Sequence, residues 1–327
     1  MENMMDNNID IELNKDVHGL IDAVNNFFPG TVTVTFIGKL QSGYVRHDQA
    51  QTVQDGKNII VQIADLSAPD YTASHELLHL LMVLRGFPQV FYSLTTGDDT
   101  LDEQLKMMGT ELYDIVSHFV VVSEQRKHNL INDDIEEMYL KGVYATIKPE
   151  PDPLDDQMML RLTTLLDALV FYGEGIDKVA DKFKQDFPVS FEAAQKLYQV
   201  LTDKPTDSPF GLRRNVVKLF KAFDEQLKDW ELPALHNTEF TTLTSVLSER
   251  QLGLKVKQLF EIYHSDLTEV TSNTKGYVGF NRVDDQNSFV LANPKGNQDD
   301  PEFFKGVYDK SAKQLFDDLK MPYIVRK

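Results

Sequence analysis

An α+β fold, with a small mixed β-sheet ahead of one long helix and a mostly α-helical remainder, is what the order of hydropathy patterns in this chain predicts. Three observations carry that reading. Residues 31–37 (TVTVTFI) alternate β-branched residues as a half-buried strand does. Residues 71–88 (YTASHELLHLLMVLRGFP) form an apolar run with a Gly-x-Pro stop, long enough for a helix of several turns. Beyond a proline-rich stretch at 148–156, almost every segment has helical spacing. Hydrophobic residues make up 42% of the 327, ample for a packed core, and this length suits one elaborated domain or two closely packed ones.

In chain order, residues 16–28 place Val17, Leu20, Ile21, Val24 and Phe28 at helical offsets, and Pro29-Gly30 ends the run. The strand at 31–37 follows, then a meander or hairpin over 44–53 and 58–64 (NIIVQIA), turned at Asp55-Gly56. Ser67 with Asp70 three residues on has the form of a capping box opening the next helix, and Gly86 with Pro88 closes it. Residues 91–99 (FYSLTTGDD) read as a plain polar loop. Residues 100–127 place Leu101, Leu105, Met108, Leu112, Ile115 and Phe119 near helical spacing and predict a second long helix. A further helix is expected at 133–147.

Proline at the density of 148–156 (KPEPDPLDD) cannot continue a helix, so a domain boundary is placed there, dividing 1–148 from 149–327. Helices are expected at 157–172, 177–187, 190–201, 212–228, 254–264 and 301–319, with Ser190 and Ser208-Pro209 as helix starts. Short strands are expected at 277–280 and 289–292, and the Asp-rich stretches Asp284-Asp285 and Asp299-Asp300 read as solvated turns.

Composition excludes several functions. A net charge of −18 with pI near 4.8 argues against nucleic acid and anionic membranes, which need a basic footprint. The one compact basic run, Arg213-Arg214 with Lys218 and Lys221, reads as a solvated helix face. With no Cys, disulfides, thiolate metal ligands and cysteine nucleophiles are out, leaving His and carboxylates for metal chemistry. The opening MENMMDNNID lacks a basic start and an apolar h-region, and no run of about eighteen apolar residues follows, so a cytoplasmic protein is expected. Residues 6–16 lack the Gly and the final Glu of a calcium loop. Motifs for nucleotide binding and serine hydrolysis are missing too.

What remains is His75-Glu76-Leu77-Leu78-His79. Residues four apart share a helix face, so the two imidazoles can meet one metal ion while Glu76 lies beside it. Zinc is the expected ion, because neutral imidazoles suit it and it keeps a position open for water. A third ligand is sought on the second long helix, where Glu111, Asp114 and His118 line one face at offsets of three and four. The alternatives there are Glu111 and His118; a satisfied polar group between packed helices is the bland reading of either.

A strand, a short loop and a long helix carrying HExxH resemble the zincin metallopeptidases, over at most residues 55–127. The resemblance implies a zinc peptidase acting on a peptide or protein substrate, with Glu76 as general base and an edge strand to hold the substrate. In the gluzincin branch the third ligand is a Glu on a later helix; Glu111 matches in kind and is the favoured ligand, with Asp114 as its companion to orient a histidine. The spacing departs from that branch, where the helper follows four residues after the Glu and not three. A second His or Tyr stabilises the transition state in such enzymes; His18, His47, His128, His236, His264 and Tyr113 are the residues from which one could come. The helical remainder would close one wall of the cleft. A non-catalytic regulatory or interaction protein, with the metal serving stability, is the competing expectation.

Overall fold

In a computed structural model residues 11–292 and 300–326 are described. The readings of the first ten residues, and of Asp299 as a turn residue, lie outside them. The fold is mixed α/β with small sheets, as expected at the level of class. Chain order is α1 (Lys15–Phe27), β1 (Val32–Leu40), β2 (Ala50–Asp55), β3 (Asn58–Asp65), α2 (Pro69–Leu84), β4 (Val90–Phe91), β5 (Leu94–Thr95), α3 (Asp99–Lys127), α4 (Asp133–Thr146), α5 (Met158–Tyr172), α6 (Ala180–Asp186), α7 (Pro188–Thr202) and α8 (Pro209–Asp229). Then follow α9 (Asn237–Phe240), β6 (Thr242–Leu243), β7 (Ser245–Leu247), α10 (Glu249–Leu252), α11 (Val256–Leu259), β8 (Phe260–Glu269), β9 (Thr274–Asn281), β10 (Asn287–Ala292), α12 (Pro301–Asp309), α13 (Ala312–Leu319) and β11 (Tyr323–Val325). Among the described residues no helix is long and apolar enough to cross a membrane.

The chain forms two compact units, one of residues up to 85 and 117–198, the other of 86–116 and 199 onward. The boundary expected at 148/149 therefore falls inside the first unit. Its proline-rich segment is tied down at several points. Glu150 N–H donates to Asp186 O, and the Glu150 carboxylate accepts from Val189 N and Ser190 N, capping α7 from outside. Arg161, buried, donates from Nε to Lys148 O and pairs with Asp155. Ser190 is thus inside a helix that starts at Pro188, whereas Ser208 caps α8 as expected, accepting from Gly211 N.

In the first unit β1 runs parallel to β3, and β2 returns antiparallel through a turn at Gly56, whose φ of +60° suits glycine. Val61 and Ile63 of β3 are fully buried, α2 packs on that strand and on α1, and Val17, Leu20 and Val24 of α1 complete the contact. α2 does not open on a capping box. Pro69 occupies the first turn, which moves the start past Ser67; Ser67 Oγ accepts from Gly43 N and Asp70 Oδ1 from Asn14 N. Gly86, at φ +77°, ends it.

The second unit is built on the sheet β10-β9-β8-β5, with pairs β11-β7 and β4-β6. Residues 91–99 are thus more than a loop, since β5 joins this sheet. The helix expected over 254–264 is only the single turn α11; from Phe260 the chain is strand, paired with β9 from Phe260↔Asn281 onward. Ladder pairing and burial of Phe260 against Phe289 and Phe316 override the local helical spacing. The helix expected over 301–319 is two, because Ser311 starts α13 with a capping box of its own.

Two outcomes follow. In α4, a Cβ on Gly142 would lie 2.0 Å from Val45 O, so Gly142→Ala is expected to lower stability by about 1–3 kcal/mol or more; urea melts as stable as wild type would refute this close approach. In the second unit, hydrogen bonds and charge from Lys255 and Lys257 draw the Asp309 carboxyl down to about 2. A depressed acid contributes stability above its ordinary value near pH 4 and loses it as pH falls through the folded value, so NMR titration is expected to find Asp309 ionised at pH 3.

Candidate metal centre

α2 is buried on most sides, with Ala73, Leu77, Leu78 and Leu81 in the core. Its remaining stripe carries Tyr71, His75 and His79, one turn apart each. His75 is 5% exposed, while Glu76 and His79 are half-buried. The part of α3 in the first unit, residues 117–127, crosses α2 and presents His118, 4% exposed.

The register between the two helices is held by Gln125, two turns beyond His118 and so on the same face. Gln125 Nε2 donates to Tyr71 O at 3.0 Å and Ser74 Oγ at 2.9 Å, and Ser74 Oγ donates in turn to Tyr71 O. This clamp lies one turn before His75.

The consequence is a cluster of three imidazoles. Ring centroids are 4.8 Å apart for His75 and His79, 4.9 Å for His75 and His118, and 5.2 Å for His79 and His118. One nitrogen from each lies within 4.8 Å of the others. Nitrogens on a tetrahedral zinc stand about 3.3 Å apart, so small ring rotations bring these three onto one ion. The donor set, all imidazole and mostly buried, fits zinc among the common divalent ions.

Behind His118 stands Asp167 of α5, 5% exposed, with Oδ1 at 2.5 Å from His118 Nδ1. Its Oδ2 accepts from Tyr139 Oη of α4 at 2.6 Å. Tyr139 lies flat on Phe171, centroids 3.7 Å apart and planes within 3°. Arg126 covers the Phe171 ring and donates to Phe171 O.

Of the residues singled out from sequence, His75, His79 and His118 come together, and Glu111 is not in the group. Glu111 and His118 share one face of one helix but lie two turns, about 10.5 Å, apart, so they compete for a single ion. Glu111 and Asp114 belong to the stretch of α3 in the second unit. His118, the competing third ligand, is the residue of α3 that groups with His75 and His79, and the carboxylate of Asp167 lies against it. Asp167 and Tyr139 were missed. The available signal was a lone acid in the apolar run LTTLLDALVFY, since a carboxylate buried there needs a partner. His18, His128, His236 and His264 are exposed, and Tyr113 donates to Pro88 O within the second unit.

Gln125→Met, which keeps volume but removes both donations, is expected to cost about 1 kcal/mol in denaturant melts and to speed amide exchange around 71–75. Unchanged exchange there would mean that the clamp carries no weight. No family model, curated protein or solved structure matches the chain.

Proposed function

We propose that this protein is a zinc-dependent hydrolase of peptide bonds, with His75, His79 and His118 as metal ligands and Glu76 as general base. The observation that carries the reading is the convergence of a third imidazole, from a separate helix, on the two of an HExxH helix. Chance pairing of His75 with His79 needs no such third partner. A small sheet before the motif helix and helices after it, the order that the resemblance to zincins implies, support the same reading.

Zinc, when bound, supplies a Lewis acid that acidifies a water and polarises a carbonyl. The protein's own part is positional and basic. His75 and His118 are held in the apolar interior with little freedom, and half-buried His79 lies toward solvent. Glu76 is adjacent to His75 and less buried, the place for a carboxylate that takes a proton from attacking water and returns it to the leaving amine. A metal site serving only stability has no use for that carboxylate. The substrate class rests on the zincin likeness, and a cytoplasmic site of action accords with a chain free of cysteine.

Elemental analysis of protein purified without chelators is expected to give one zinc per chain, retained in Glu111→Ala and lost in His118→Ala. Glu76→Gln is expected to keep the zinc and lose about 10²–10⁴ in turnover of peptide substrates. Zinc retained with turnover indifferent to Glu76→Gln would leave a non-catalytic metal site; wild type without stoichiometric zinc would remove the metal altogether.

A further inference from the structure

Resting on the three-histidine reading, we infer that Asp167 and Tyr139 form a positioning pair that fixes the tautomer of His118 and thereby sets the affinity of the metal centre. The geometry gives each atom one role. An ionised carboxylate only accepts hydrogen bonds. Tyr139 Oη–H donates to Oδ2 at 2.6 Å, and the ring nitrogen that stands 2.5 Å from Oδ1 must be a donor to that carboxylate as well. That donor is His118 Nδ1–H. With Nδ1 carrying the hydrogen, the lone pair is on Nε2, the nitrogen left to face His75 and His79.

Tyr139 is suited to remain a donor. Burial, and then the Asp167 carboxylate, hold its hydroxyl well above the ordinary phenol range. Its ring cannot swing away without breaking the stack on Phe171, which comes one turn after Asp167 on α5. The pair therefore draws on three helices: α4 gives the hydroxyl, α5 the carboxylate and the stacking ring, α3 the imidazole. Neither Asp167 nor Tyr139 is a metal ligand in this arrangement. Both act through His118, and the negative charge of Asp167 makes the imidazole a stronger donor to a cation.

The test measures zinc affinity of the full chain by competition with a chromophoric chelator, alongside the histidine tautomer by ¹⁵N NMR of the metal-free protein. Asp167→Asn keeps the shape but loses the charge and is expected to weaken zinc binding about 10–100-fold. Tyr139→Phe is expected to weaken it less, within about tenfold, and to shift the His118 ring signals. Tyr144→Phe, on the same helix as Tyr139, removes a comparable hydrogen bond, to Asp186 of α6 at 2.7 Å, and is expected to leave zinc affinity unchanged; it controls for general loosening of α4. Cobalt(II) spectra of the wild type and Tyr139→Phe report any change in ligand geometry. The inference is overturned if wild type binds zinc and both variants bind it equally well, if Tyr144→Phe weakens binding as much as Tyr139→Phe, or if His118 carries its hydrogen on Nε2. Wild type that binds no zinc overturns the three-histidine reading itself, a distinct result. Should Asp167→Asn fail to fold, Tyr139→Phe still decides.

Discussion

A buried imidazole held by a buried carboxylate is the constraint on which the first unit depends. His118 and Asp167 are each about 5% exposed, and burial at that depth makes their mutual hydrogen bond costly to lose. Their contact joins α3 to α5, and the Tyr139 hydroxyl draws in α4. Apolar packing alone brings such helices together but tolerates sliding by a residue or two. A hydrogen-bonded triad between three helices does not, and that gives the imidazole at its head a fixed direction.

The same logic governs α2 and α3. Gln125, buried, ties the backbone at Tyr71 and the Ser74 hydroxyl to α3, so the turn that presents His75 is set against the helix that presents His118. Two independent polar locks, one before and one behind the histidines, keep the three rings within reach of one ion. Preorganisation of this kind is what a metal centre requires, because ligands that must be gathered on binding subtract from affinity.

Much of this was legible in the residues. The HExxH helix, the strands around Gly56, the long α3 and most later helices follow from periodicity and from glycine or proline punctuation. The misses have physical causes. Strand β8 reads locally as helix, and only its ladder with β9 decides otherwise. Pro69 displaced the start of α2 beyond the apparent cap at Ser67. Glu111 and His118 sit on one stripe, and spacing alone cannot say which turn of a helix meets its neighbour; Leu112 and Ile115 are as apolar as Val121 and Val122. Asp167 is hidden because helical spacing over 157–172 marks the helix and says nothing of which partner its single acid meets.

The segment at 148–156 carries one more consequence. Its prolines suggest a hinge, yet Glu150 caps α7, Lys148 O receives Arg161, and Asp155 pairs with the same guanidinium. The strap is stitched to the helices on its C-terminal side, and Tyr139 and Arg126 on its N-terminal side rely on α5. A gene cut at this strap would yield an N-terminal fragment with its histidine unsupported and a C-terminal fragment with a bare apolar helix. What looks like a seam in composition is therefore a fastening, and any minimal version of the histidine cluster with its buried carboxylate must extend through α5.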